Sequence, residues 1–303
     1  MVFAILAVLA AWLAGREIVA QWRAFRASGA HLEPRWSLIV ASSLLVLLAY
    51  AILVETWRRT VRAWDAELSW TDAARIWFIS NLGRYLPGKI WQIGAMGVMA
   101  QERGVSVVAA TGSALVINLV NLLAGFGLVL VTGAEFFDAR GAAIALAVLL
   151  TVGIVLAPRT VPVAARIAGR VLRRSLEVPR LPDRAVWLAS IGCLVAWILY
   201  GVAFRIFVAG VLGEAPGSTA SYIAAFTGSY LAGYIALFAP GGIGVREKSL
   251  MLALGQFGLA QAGAAGVISL TSRLWLTILE VLPGLGFLAV DALRGRRRPT
   301  LPS

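Results

Sequence analysis

The chain reads as an all-α polytopic membrane protein, with about six transmembrane helices plus two re-entrant helical hairpins, and three observations predict this class. Of its 303 residues 60% are apolar and only 14% charged, against about 45–50% and about 25% in soluble domains; the mean hydropathy is +0.83. Apolar runs long enough to cross a hydrocarbon core of about 30 Å recur along the whole chain. Two further stretches of membrane-like hydropathy are each cut by a Pro-Gly break, Arg84-Tyr85-Leu86-Pro87-Gly88-Lys89 and Ala239-Pro240-Gly241-Gly242-Ile243-Gly244-Val245-Arg246-Glu247. A lipid-exposed break would leave backbone groups without partners, so both belong inside protein or beside a polar cavity.

In chain order the candidate spans are roughly 2–22, 36–56, 105–132, 141–158, 186–211 and 262–290. The first is apolar from its start and carries neither a basic leader nor a clear small-residue cleavage site, so a membrane helix is expected there rather than a removed signal, although Arg16 and Glu17 interrupt it. The stretches 71–102 and 218–256 are long enough to cross, but Pro87-Gly88 and Pro240-Gly241-Gly242 divide each into two half-helices. The organisation expected is a first membrane half over 1–158, a basic connector over 159–184 with Val163, Ile167, Val171 and Leu172 on one face, and a second half over 185–303. The tryptophans near span ends (Trp12, Trp22, Trp36, Trp57, Trp64, Trp70 and Trp187) are expected in interfacial belts, and Arg205 as an anchor reaching toward the interface.

Charge sorts the loops. If the hairpins return to their own side, segments 57–70, 101–104, 159–184 and 291–303 share one side and 23–35, 133–140 and 212–217 the other. Segment 159–184 alone holds seven arginines, and the tail adds Arg294, Arg296, Arg297 and Arg298. The positive-inside rule then places the basic side in the cytoplasm, giving a multi-pass protein of the cell (inner) membrane with both termini inside; Arg23, Arg26 and Arg35 resist that topology. The net charge of +12 therefore predicts anchoring at an anionic leaflet rather than nucleic-acid binding. One cysteine (Cys193) and one histidine (His31) give no intrachain disulfide, thiolate metal site or zinc-type hydrolytic site, so no cofactor is expected.

A faint internal repeat accompanies the breaks. Pro87, Gly88, Ile90 and Ala100 match Pro240, Gly241, Ile243 and Ala253 at a shift of 153, and Gly104, Ala110 and Gly112 match Gly258, Ala264 and Gly266 at a shift of 154. With the charge alternation, this predicts an inverted-topology repeat, an architecture common among transporters.

The candidate site follows from the breaks. At Gly241-Gly242-Ile243-Gly244 a helix restarts, and its first N–H groups and macrodipole favour an anion, with Arg246 in the first turn. Gly88, Lys89 and Arg84 mirror this arrangement at the first break, with Trp91 and Gln92 beside it. Arg273 and Glu280 fall mid-span on one face of the last helix, about 10 Å apart. Charges at this depth are expensive and usually mark a pathway. The positions read as substrate-binding are therefore Arg84, Pro87, Gly88, Lys89, Gln92, Pro240, Gly241, Gly242, Gly244, Arg246, Glu247, Arg273 and Glu280, with no catalytic or metal-binding residue. Plainer readings compete: Arg84 and Lys89 snorkelling, Arg273 and Glu280 as a structural ion pair, Glu247 capping its helix or neutralising Arg246, and Asn118 and Asn121 as interhelical glue.

Asn81-x-x-Arg84-x-x-Pro87-Gly88-Lys89, followed about 150 residues later by Ala239-Pro240-Gly241-Gly242-Ile243-Gly244-Val245-Arg246-Glu247, resembles the lysylphosphatidylglycerol synthase transmembrane family, the flippase-like domain proteins. The resemblance covers nearly the whole chain and implies an integral lipid flippase-like domain, in some members fused to an aminoacyl-lipid synthase. Only Asp291–Ser303 follow the last span, so aminoacyl transfer is not expected to carry over. Lys89-Ile90-Trp91-Gln92 stands where a glycine and an acidic residue often follow in the family, which leaves room for a polyprenyl-phosphate-linked or glycan-related lipid.

The expectation is a flippase or translocase for an anionic, phosphate-bearing lipid, not an enzyme. Arg246, Lys89 and Arg273 would hold the phosphate, Gly88, Gly241 and Gly242 would permit close backbone approach, and Glu247 or Glu280 would couple transport to protons. Its partners would be membrane lipids with anionic headgroups and no nucleic acid; a homo-oligomer or a partner synthase in trans is compatible with it. The alternatives are a membrane-embedded glycosyl- or lipid-modifying transferase, for which Asp65, Glu67 and Asp72 form the only acidic cluster, and a non-transporting scaffold that recruits partners through 159–184.

Overall fold

The structure, a computed structural model, describes residues 23, 34–83, 90–136, 140–172, 182–236 and 242–296. The expected span 2–22 and both break centres, with Arg84, Pro87, Gly88, Lys89, Pro240 and Gly241, lie outside the described residues.

Nine α-helices make up the described fold: α1 (Trp36–Arg62), α2 (Trp70–Leu82), α3 (Ile90–Gln101), α4 (Val107–Thr132), α5 (Arg140–Leu172), α6 (Asp183–Leu212), α7 (Thr219–Ile235), α8 (Val245–Gln256) and α9 (Ala262–Arg296). Among the described residues, five helices are long and apolar enough to cross a membrane: α1, α4, the Arg140–Arg159 part of α5, α6, and Gly263–Asp291 within α9. The chain is an all-α, multi-pass membrane protein. Helices α2, α3 and α8, at 13, 12 and 12 residues, extend only about 20 Å and fall short of a bilayer core.

Local chemistry sets the boundaries. Serines start α2, α4 and α7, where Ser69, Ser106 and Ser218 accept hydrogen bonds from the backbone N–H groups of Asp72, Ala109 and Ser221. Gly104 and Gly258, one of the pairs in the internal repeat, both adopt left-handed conformations (φ 82° and 64°) just past α3 and α8. Each is followed by the same closing bond, Val105 N–H to the Ala100 carbonyl and Leu259 N–H to the Leu254 carbonyl. That part of the repeat is a matched pair of helix stops.

The order long, short, short, long occurs twice, as α1–α4 and α6–α9. Helices α1 and α6 pack antiparallel at the centre, with the Arg35 N–H bonded to the Gly210 carbonyl and Thr56 so close to Gly192 that any side chain there would collide with it. Arm α7 packs on α4 and arm α2 on α9, so each half leans on the last span of the other. Arg103–Asp72 and Arg75–Asp291 ion pairs gather the ends of α2, α3 and α9 at one end of the bundle. The Glu135–Ser221 and Arg205–Thr219 contacts gather the opposite loops, in the grouping expected from charge.

Helix α5 runs without a break through Arg159 to Leu172, so the first half of the expected connector is helical; residues 173–181 lie outside the described set. One expectation needs correction. Trp57 is no interfacial residue: it is fully buried, and its indole N–H donates to Ser113 of α4 at 3.2 Å. Trp36, Trp70 and Trp187 are exposed as expected. Arg205 donates to Thr219 at the start of α7, in the loop layer at that end of the bundle.

Candidate functional site

The second hairpin closes through glycine. Gly242 has φ 73°, and a Cβ there would lie 2.7 Å from the Gly233 carbonyl oxygen; a Cβ on Gly233 would lie 2.8 Å from Cβ of Arg246. Positive φ and the absence of a side chain together let α8 restart directly against α7. Gly244, φ 84°, precedes the first turn of α8, where Glu247 reaches back and accepts the Gly244 N–H at 2.6 Å. Glu247 thus takes one N–H of the helix start, half of a capping box, which is the plainer of its expected roles.

Arg246 is the functional group left. It is 6% exposed and lies against the aromatic rings of α7, its Cζ 4.7 Å from the Tyr230 centroid and 5.5 Å from that of Phe226. Nη2 is buried and has no hydrogen-bond acceptor. Aromatic faces offset part of the desolvation of a guanidinium, but they do not satisfy its N–H fork, and a buried charge short of acceptors is costly.

Arg273 of α9 approaches Glu247, with Nε 3.6 Å from Oε1, while Ser269 donates to the Glu247 carbonyl at 2.6 Å. Glu247 thus caps α8 and pins it to α9. Glu280 is buried farther along α9, one turn before Gly284, which lies against the Phe78 carbonyl of α2. Helix α9 therefore brings Arg273 to the second hairpin and carries Glu280 toward the first.

On the α4 and α6 side of α7 a shallow open cleft, with room inside for about one water molecule, is lined by Asn118, Asn121, Trp197, Tyr230, Tyr234 and two leucines. Asn118 and Asn121 lie near the midpoint of α4. The Asn118 side chain donates to the Ala114 carbonyl of its own helix at 2.8 Å, and Asn121 uses its backbone carbonyl to receive the Trp197 indole N–H at 2.9 Å. The expected interhelical glue is thus the Trp197 bond, and the two carboxamides border the cleft.

The first hairpin is built differently. Gln92 of α3 donates to the Asn81 side chain of α2, and both are buried. Gly83 lets the arms approach, since a Cβ there would sit 3.3 Å from the Gln92 backbone nitrogen. Trp91 points away and is exposed. The structure thus brings Gly242, Gly244, Arg246, Glu247 and Arg273 together, places Gln92 in a neutral pair, and buries Glu280. The acidic cluster is engaged in local structure: Asp72 receives the Ser69 hydroxyl and pairs with Arg103, and Glu67 faces Arg62 at 3.9 Å.

The family model for the lysylphosphatidylglycerol synthase transmembrane region matches residues 1–284. The chain belongs to this family. No curated relative and no solved structure matches. Family and membrane-spanning helices together support a membrane lipid-related function. Within this member, sequence reading missed the aromatic seat of Arg246. A signal was present: Phe226, Tyr230 and Tyr234 recur every four residues on one face of α7, just before the break.

Proposed function

We propose that the protein is a lipid flippase or translocase that moves an anionic, phosphate-bearing lipid, or a lipid-linked intermediate, across the cell (inner) membrane while the acyl tails stay in the bilayer. The observation that carries this reading is Arg246, a buried guanidinium with an Nη2 lacking an acceptor, placed at a helix restart against Tyr230, a ring that also lines a small cleft beside the midpoint of α4. A phosphate oxygen is the acceptor such a fork matches. Two short-armed hairpins set into two similarly ordered halves suit alternating access around a central site, and an inverted repeat with both termini cytoplasmic is the topology this reading uses. Glu247 is committed to its cap and to Arg273, which leaves Glu280 as the carboxylate for proton coupling. No chemical step on the lipid is part of the proposal.

The test is translocation of labelled lipids in proteoliposomes containing the purified chain. Wild type should move an anionic phospholipid faster than protein-free vesicles do. Arg246→Ala should abolish that movement with its thermal unfolding profile retained, and Arg246→Lys should recover a fraction of it. Full transport by a folded Arg246→Ala protein would remove Arg246 from the mechanism and the proposal with it.

A further inference from the structure

Arg246 leans on rings, and those rings are held from another helix. Its Nη2 has no hydrogen-bond acceptor, so no bond from that nitrogen fixes the plane of the guanidinium. The group lies instead on the Tyr230 face, with Cζ 4.7 Å from the ring centroid. Attraction to an aromatic face is electrostatic and broad, so the guanidinium takes its tilt from the ring beneath it. The outer torsion of a tyrosine side chain is itself soft, and the ring needs a neighbour to hold it.

That neighbour is Trp197 of α6, which meets Tyr230 edge-on, with centroids 5.3 Å apart and planes at 77°. Trp197 is fixed twice. Its indole N–H donates to the Asn121 carbonyl of α4 at 2.9 Å. The same edge lies on Gly125, one turn later in α4, where a Cβ would come within 3.1 Å of Nε1 and Cε2. Only 2% exposed, the indole is packed as well as bonded. The middle of α4 therefore bears, through two rings, on a charge carried by α8.

Orientation matters for a guanidinium in a way it does not for an ammonium. A guanidinium offers two parallel N–H groups in its own plane to two phosphate oxygens, and a tilt that keeps one bond breaks the other. An ammonium is a point charge with no plane to align.

We infer that Trp197 is a positioning residue for the anion anchor: bonded to Asn121 and seated on Gly125, it holds Tyr230 in the tilt that presents the Arg246 fork. This deepens, and rests on, the phosphate reading of Arg246 given above.

The test is binding of phosphatidic acid to the full chain in detergent, with Trp197→Phe made in two backgrounds. With Arg246 present, Trp197→Phe should weaken binding about tenfold, as expected for one charge-assisted bond of the fork. With Arg246→Lys, itself weaker than wild type, Trp197→Phe should cause no further loss. A merely structural tryptophan would weaken both backgrounds by the same factor, and that result would overturn the inference. If Trp197→Phe does not fold, Gly125→Ala, which presses a methyl group onto the indole, replaces it in the same two backgrounds with the same pattern expected. Unchanged binding in Trp197→Phe, with binding lost in Arg246→Ala, would overturn the positioning role and keep the phosphate site. Binding that survives Arg246→Ala would remove the phosphate reading and this inference with it.

Discussion

The two hairpins share an architecture and differ in what holds their arms together. In the first, a buried Gln92–Asn81 hydrogen bond joins α2 to α3, both members neutral. In the second, backbone lies on backbone at Gly233 and Gly242, and the side chain that follows is a buried guanidinium with an Nη2 lacking an acceptor. Among the described residues, then, one hairpin is closed by a polar pair that satisfies itself, and the other stores a charge short of partners. Among the described residues, the buried charge short of an acceptor lies in the second hairpin.

That contrast breaks most readily at glycine. Gly242→Ala forces a side chain into a left-handed backbone and against the Gly233 carbonyl, which should cost about 3 kcal/mol and show as a marked fall in thermal unfolding temperature. The first hairpin's counterpart, Gly83, has a helical φ of −64° and a milder contact, so Gly83→Ala should cost under about 1 kcal/mol. Comparable losses in both would remove the distinction.

A smaller effect is expected at the polar pair. Asn81→Ala leaves buried Gln92 short of its partner and should destabilise by roughly 1–3 kcal/mol, whereas Asn81→Leu with Gln92→Leu should be close to neutral. Additive losses in the double variant would show that the two side chains do not act as a pair. The second hairpin should behave in the opposite sense. Arg246→Met removes a buried charge, so its unfolding temperature should stay within experimental scatter of wild type or rise, the loss of about 1–2 kcal/mol of cation–π attraction being offset by desolvation no longer incurred. A large drop would mean that Arg246 is structural. Glu247→Gln should lower the unfolding temperature modestly, by about 1 kcal/mol of stability, for a weakened cap and a partly buried ion pair.

Much of this was legible beforehand because hydropathy and Pro-Gly breaks are one-dimensional signals. Stretch 71–102 became α2 and α3, stretch 218–256 became α7 and α8, and the five long described helices begin within about three residues of their expected starts. The inward face of each helix was not legible. Helix α1 is apolar nearly all round, so its sequence has no polar face to mark which side turns outward, and Trp57 went to the core instead of the interface. Asn118 bonds within its own helix, an outcome sequence spacing does not separate from bonding to a neighbour. Glu247 was open to several roles until the Gly244 N–H was found on its carboxylate.

The most direct test of the central claim, that Arg246 is an anion anchor, is the shift in unfolding temperature on adding phosphatidic acid to the detergent-solubilised chain, wild type against Arg246→Met. A ligand that binds only the folded state raises its stability by mass action. The account predicts a dose-dependent rise in wild type that is absent in Arg246→Met. An equal rise in both proteins would place the anion elsewhere and contradict it.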